Sequence, residues 1–134
     1  MAWTVRFADE FEEEFLALRQ EVQDELLALA KILAEYGPQL GRPYVDTLKG
    51  SKYSNMKELR FDADHGVWRV AFAFDPRRNA ILLVAGDKSG TSQGRFYRQL
   101  IATADRRLSA QPETAETSAV TKGKSNGTNY QRDH

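Results

Sequence analysis

The chain predicts a single α+β domain of the order strand, helical hairpin, three-stranded antiparallel meander and C-terminal helix, with the helices packed on one face of the sheet. Three observations predict it. The chain opens on a short run of alternating apolar and polar residues, and a long stretch of helical periodicity follows. Between residues 54 and 86, three extended runs are separated by turn chemistry, and a second helical pattern comes after them.

Trp3, Val5 and Phe7 alternate with Thr4 and Arg6, as in a strand with one buried face. Phe11, Phe15 and Leu18, then Val22, Leu26, Leu29 or Ala30, and Leu33, keep the i, i+4, i+7 spacing until Gly37-Pro38 stops it. One helix from 9 to 36 would be about 42 Å long. That exceeds a domain of this size, so a break near Arg19 to Glu21 and a helical hairpin are expected. Gly37 to Lys52, with Pro38, Gly41, Pro43 and Gly50, reads as a loop crossing between layers.

Strands are predicted at Ser54 to Asp62, Val67 to Phe74 and Asn79 to Gly86, joined by turns at 62–66 and 75–79 rich in Asp, Pro, Gly and Asn. In the middle strand Trp68, Val70, Phe72 and Phe74 lie on one face and Val67, Arg69, Ala71 and Ala73 on the other. If Arg60 pairs with Arg69, Leu59 and Phe61 fall opposite Val70 and Trp68, so register and hydrophobic pattern agree. Ala80 to Ala85 is apolar on both sides, as in a central strand. After a loop of small residues, Tyr97, Leu100 or Ile101, Ala104 and Leu108 form one helical face, with Arg95, Arg98, Arg106 and Arg107 on the remainder.

The expected domain is residues 1–109, and 110–134 reads as a disordered polar tail too poor in apolar side chains to offset its ordering entropy. Without cysteine there is no disulfide, thiolate nucleophile or Cys-ligated metal. The longest apolar run is six residues, where a membrane helix needs about 20, and no signal segment opens the chain. A cytoplasmic protein with no membrane partner is expected. The net charge of zero conceals a segregation. Residues 1–35 carry nine acids against three bases, a balance of −6, and residues 36–110 carry thirteen bases against seven acids, a balance of +6. The basic part is the candidate for a polyanion.

If helices cover the aromatic face of the meander, the other face shows Met56, Glu58 and Arg60 beside Val67, Arg69, Ala71 and Ala73. Small neighbours leave Arg69 in a trough, with a guanidinium fork suited to phosphate oxygens. Glu58 is within reach of Arg60 and Arg69, either as an ion pair that satisfies them or as an acid or base beside phosphate-binding cations. Lys49, Lys52 and Lys57 approach the same rim, and Lys88 follows the end of the last strand. Other signals are weak. Gly86-Asp87-Lys88-Ser89-Gly90 lacks the spacing of a phosphate-cradling loop, neither His65 nor His134 has a partner at metal-ligand spacing, and nothing fixes a catalytic triad. No metal and no cofactor are expected.

Leu48-Lys49-Gly50, Lys57-Glu58-Leu59-Arg60-Phe61, Val67-Trp68-Arg69-Val70, Gly86-Asp87-Lys88-Ser89-Gly90 and Arg95-Phe96-Tyr97-Arg98, in this order and spacing, resemble the RelE/ParE superfamily of bacterial toxins, in its HigB-like, phage-associated branch. The resemblance runs from residue 3 to about residue 108. It implies the toxin of a type II toxin-antitoxin system, a metal-independent endoribonuclease. Such a toxin enters the ribosomal A site, cleaves messenger RNA by attack of the ribose 2′-hydroxyl on the adjacent phosphate, and is neutralised by a cognate antitoxin. Arg69 corresponds to the arginine that binds the scissile phosphate, Lys88 to a basic residue after the sheet's glycine, and Tyr97 to a terminal aromatic at the cut site. Two lysines of the best-known relatives fall near Met56 and Glu58, which leaves Glu58 as the candidate proton acceptor. Lys49, Lys52, Lys57, Arg60, Arg95 and Arg98 complete the expected RNA contact. The superfamily also contains non-enzymatic inhibitors that bind DNA gyrase, the alternative reading. The nuclease reading asks that Arg69 project onto an open floor, and the antitoxin is expected to cover that floor or displace the last helix.

Overall fold

The two amphipathic runs separate without glycine or proline, because a side chain does the capping. In the computed structural model, which describes residues 2–111, α1 (Asp9–Leu16) ends and α2 (Gln20–Tyr36) begins across three residues. Arg19 is extended, and the Gln23 amide donates to the carbonyl oxygens of Leu16 at 3.3 Å and Leu18 at 2.9 Å. These carbonyls lie where α1 has run out of intrahelical donors.

The strands are β1 (Thr4–Phe7), β2 (Val45–Thr47), β3 (Lys57–Ala63), β4 (Gly66–Phe74) and β5 (Asn79–Asp87), and the last helix is α3 (Gln93–Ser109). They form one mixed sheet in the order β1-β5-β4-β3-β2, with β1 parallel to β5 and the other pairs antiparallel. The expected register holds: Arg60 faces Arg69, Leu59 faces Val70 and Phe61 faces Trp68. The short β2 lies within the stretch read as loop. Three residues beside Pro43 are too few to show a period of two.

The α+β class stands, but α3 does not share a layer with the hairpin. α1 and α2 cover the aromatic face: Phe7 meets Phe11 and Phe15, Trp3 meets Phe74, and Leu29 lines a hollow with Phe61. α3 crosses the opposite face, where Phe96 lies over Gly86, the residue paired with Arg69. The reason is the apolar run Ala80 to Ala85. Ile81 and Leu82 point to opposite faces and are both fully buried, so β5 needs a helix on each side.

A β-bulge reinforces this arrangement. Val84 faces Ala71 and Leu82 faces Phe72, which leaves Leu83 without a partner on β4. Its carbonyl accepts from Arg107 Nη1 at 2.8 Å. Arg107, expected on the solvent side of α3, is buried and forms a two-pronged pair with Glu14 of α1 at 2.9 and 2.6 Å, with Glu10 at 2.8 Å from Nε. Residues 112–134, nearly all of the expected tail, lie outside the described residues. Among the described residues no helix is long and apolar enough to cross a membrane.

Candidate functional site

Strand alternation places Glu58 and Arg60 on the same face of β3, and the register sets Arg69 of β4 directly across from Arg60 and diagonal to Glu58. On the next strand Gly86 faces Arg69. Having no side chain, it leaves room for the Phe96 ring, where an added Cβ would stand 2.8 Å from that ring. The ring seats the first turns of α3 over the sheet and brings Tyr97 down onto Glu58.

Glu58 is the hub. Its Oε1 accepts from the Tyr97 hydroxyl at 2.8 Å and its Oε2 accepts from Arg60 Nη1 at 2.8 Å. Arg69 Nε lies 3.9 Å from Oε1, beyond hydrogen-bond range, while its Nη1 donates to the Trp68 carbonyl at 2.9 Å. Lys88 Nζ is 5.8 Å from the centre of the Tyr97 ring. The four residues expected to do chemistry, Glu58, Arg69, Lys88 and Tyr97, are therefore gathered in one place. They come from β3, β4, the turn after β5, and α3.

The turn that carries Lys88 is held by Asp87. One carboxylate oxygen accepts from the amides of Val67 at 3.0 Å and Ser89 at 2.9 Å and from the Ser89 hydroxyl at 2.6 Å. Burial pushes the Asp87 carboxyl up, but these hydrogen bonds outweigh it and the pKa lies below the usual value. The Lys88 amide bonds the Val67 carbonyl at 2.8 Å, so the backbone on both sides of the lysine is fixed. Its ammonium is held below the ordinary lysine value by burial first and by Arg69 and Arg60 next, with Glu58 opposing. Tyr97 is pushed up by burial and by its bond to Glu58. The loop Gly86-Asp87-Lys88-Ser89-Gly90 is marked in the sequence, but the part of Asp87 and Ser89 in holding the turn is not, although an Asp two residues before a Ser beside a glycine is a turn signature.

The expected open trough is absent. Arg69 is 6% exposed and Glu58 3%, and Ala71 and Ala73 are buried on the face that α3 crosses. The small residues that were read as a hollow are the seat of a helix. Of the wider cationic set, Arg95, Arg98, Lys49 and Lys52 are exposed, and Arg60 is half-buried on Glu58. Lys49 and Lys52 belong to a segment tied to α3 through Asp105, which accepts from the Ser51 hydroxyl at 2.5 Å and the Lys52 amide at 3.1 Å. Lys57 pairs with Phe72 on the opposite face and does not join the site.

A five-stranded mixed sheet with a helical hairpin on one face and a terminal helix on the other is a RelE-like fold. The Escherichia coli toxin RelE, as an arginine-to-alanine double mutant in the free state, shares it with a TM-score of 0.55 over 76% of this chain and 96% of that one, at 12% identity. Residues 13–109 match the family described as phage-derived protein Gp49-like (DUF891), and the chain belongs to that family. Two candidate toxins of Mycobacterium tuberculosis are similar in sequence. HigB3 is 44% identical over 93 residues, 69% of this chain and 79% of that protein. HigB2 is 44% identical over 89 residues, 66% of this chain but 44% of that protein, so the chain spans less than half of HigB2.

Proposed function

We propose that the chain is the toxin of a toxin-antitoxin pair and arrests translation by cleaving messenger RNA on the ribosome. The observation that carries this reading is the convergence of a carboxylate, three cations and a phenol in one cluster, and because α3 closes over Arg69, cleavage requires the Tyr97–Glu58 bond to open as RNA enters. Its relatives of similar sequence are candidate toxins, and a cognate antitoxin is the partner that such a role requires. In the cleavage, Glu58 takes the proton of the ribose 2′-hydroxyl as its oxygen attacks the adjacent phosphorus. Arg69 and Lys88 stabilise the charge that develops on the phosphoryl oxygens. The bond to the 5′ oxygen then breaks, leaving a 2′,3′-cyclic phosphate, and Lys88 returns a proton to the departing oxygen. Its depressed pKa suits that donation. Tyr97 stacks on or donates to the RNA at the cut once it has left Glu58. Lys49, Lys52, Arg95 and Arg98 hold the flanking backbone.

A second reading is favoured by one observation: Arg69 and Glu58 are both buried and turned toward each other. A non-enzymatic toxin that binds DNA gyrase needs the fold and no open catalytic floor. One experiment separates the two. Inducing the chain in bacteria without its antitoxin is expected to arrest growth and to produce codon-phased 5′ ends on messages. Both effects are expected to vanish with Arg69→Ala and on co-expression of the antitoxin. Growth arrest with intact messages and DNA-damage signalling would instead establish the gyrase reading.

A further inference from the structure

We propose that Glu58 occupies the seat of an oxyanion, so that the closed cluster of Arg60, Arg69, Lys88 and the Tyr97 hydroxyl admits a phosphodiester only when the protein's own carboxylate gives way. The inference rests on reading this site as one that handles phosphate, and it adds a restraint built into that site. Three cations and a hydroxyl face Glu58, and the next carboxylate, Asp46 opposite it on β2, is already paired with Arg42, so the cluster keeps two positive charges in excess. Arg69 is buried and Arg60 and Lys88 are half-buried; a buried cation needs an anion, and Glu58 supplies one from within the sheet.

The fit of that anion is incomplete. Tethered to β3, the planar carboxylate makes short bonds to Tyr97 and Arg60 but leaves Arg69 Nε 3.9 Å away. That nitrogen is fully buried and has no hydrogen-bond acceptor among the described residues. A tetrahedral oxyanion carries its oxygens in three dimensions and is not tethered, so it can meet Arg60, Tyr97 and the orphaned Nε together. An internal competitor acts at high effective concentration and lowers the apparent affinity for any single phosphate. A polynucleotide bound along Arg95 and Arg98 brings the additional binding energy that displaces Glu58, whereas free phosphate or a mononucleotide does not. The site would then respond to extended RNA and stay closed to small phosphates.

The test uses inorganic sulfate and the full chain, and it needs neither RNA nor ribosomes. Sulfate is titrated by calorimetry at constant ionic strength, with chloride as the control, into the wild type, Glu58→Gln, Glu58→Asp and the Glu58→Gln/Arg69→Ala double variant. Glu58→Gln is expected to bind sulfate about tenfold tighter or more, since a full negative charge leaves the seat. The double variant is expected to lose that gain. Glu58→Asp keeps a charge on the sheet but withdraws it by one methylene, and a severalfold gain is expected. It decides the matter if the amide variant does not fold. Sulfate affinity unchanged in both single variants, or a gain that survives Arg69→Ala, would overturn the proposal. Message cleavage by the wild type is a separate readout: cleavage without a sulfate gain sinks this inference alone, and a sulfate gain without cleavage sinks the nuclease reading alone.

Discussion

Tyr97 joins the last helix to the sheet by one phenol-carboxylate bond, and its titration reports that link. Its pKa is raised above the ordinary value of 10.0 by burial and by Glu58. Between that value and its own, the folded chain keeps a proton that the unfolded chain has released. The contribution of Tyr97 to stability is therefore complete below about pH 10 and is lost as pH rises through its raised pKa. Ultraviolet titration of phenolate should show a late-ionising tyrosine that disappears in Tyr97→Phe and moves earlier in Glu58→Gln. A Tyr97→Phe curve that loses an ordinary tyrosine, or a Glu58→Gln curve identical to the wild type, would show that the contact does not persist in solution. Arg107 makes a different link, between α3, α1 and the bulge at Leu83. Arg107→Ala removes its bonds to both, and because Glu14 is about half exposed the loss should be about 1–3 kcal/mol in chemical denaturation.

At the scale of elements, α3 is held differently along its length. Its C-terminal half is anchored by Arg107 and by Asp105, while its N-terminal turns rest on the Ser92 cap, the Tyr97–Glu58 bond and the seat of Phe96 on Gly86. Gly86→Ala would drive a methyl group into that ring, and overpacking of this kind typically costs about 1–3 kcal/mol. The expected outcome is a lower denaturation midpoint together with an earlier phenolate titration of Tyr97, because the helix start is lifted from Glu58. A lowered midpoint with Tyr97 titrating as before would mean that the seat of Phe96 and the Tyr97–Glu58 bond are uncoupled. The register of β3 and β4 was legible because Leu59, Phe61, Trp68 and Val70 can share a core face in only one pairing. The face taken by α3 was also legible, in the two-sided apolar run of β5, but it was read as the mark of a central strand alone. Ala71 and Ala73 admit either a ligand or a helix, and only the burial demand of Phe96, Leu100 and Leu108 decides between them. The part played by Gln23 in ending α1 was not legible, because a glutamine seven residues from the carbonyl it caps has no pattern of its own.

Across the whole molecule, the segregation of charge along the chain becomes a segregation in space at the start of α3, while at its far end Arg106 and Arg107 pair with Glu10 and Glu14 of the hairpin. The acidic hairpin packs on the aromatic face, while the exposed cations Arg95 and Arg98 stand at the start of α3 on the opposite side, near Lys88. Each of these two sets lies within a contiguous stretch of sequence, whereas Lys57, counted among the RNA contacts, sits one step along the strand from Glu58 and therefore on the other face. If the basic side receives RNA, affinity for single-stranded RNA must fall with salt in proportion to the phosphates it neutralises, at a slope of about −0.7 per contact. Replacing Arg95 and Arg98 together by alanine removes two such contacts. The slope of log affinity against log salt should flatten by roughly 1.4, with binding weakened evenly across sequences. Glu13→Gln on the hairpin should leave the slope unchanged, since that side chain is exposed on α1, which meets α3 at the far end of that helix, at Arg106 and Arg107. Measured with an uncleavable 2′-O-methyl oligonucleotide, the slope depends on contacts and not on chemistry. A slope indifferent to Arg95 and Arg98 but sensitive to Glu13 would put the nucleic acid on the hairpin and reverse the orientation argued here.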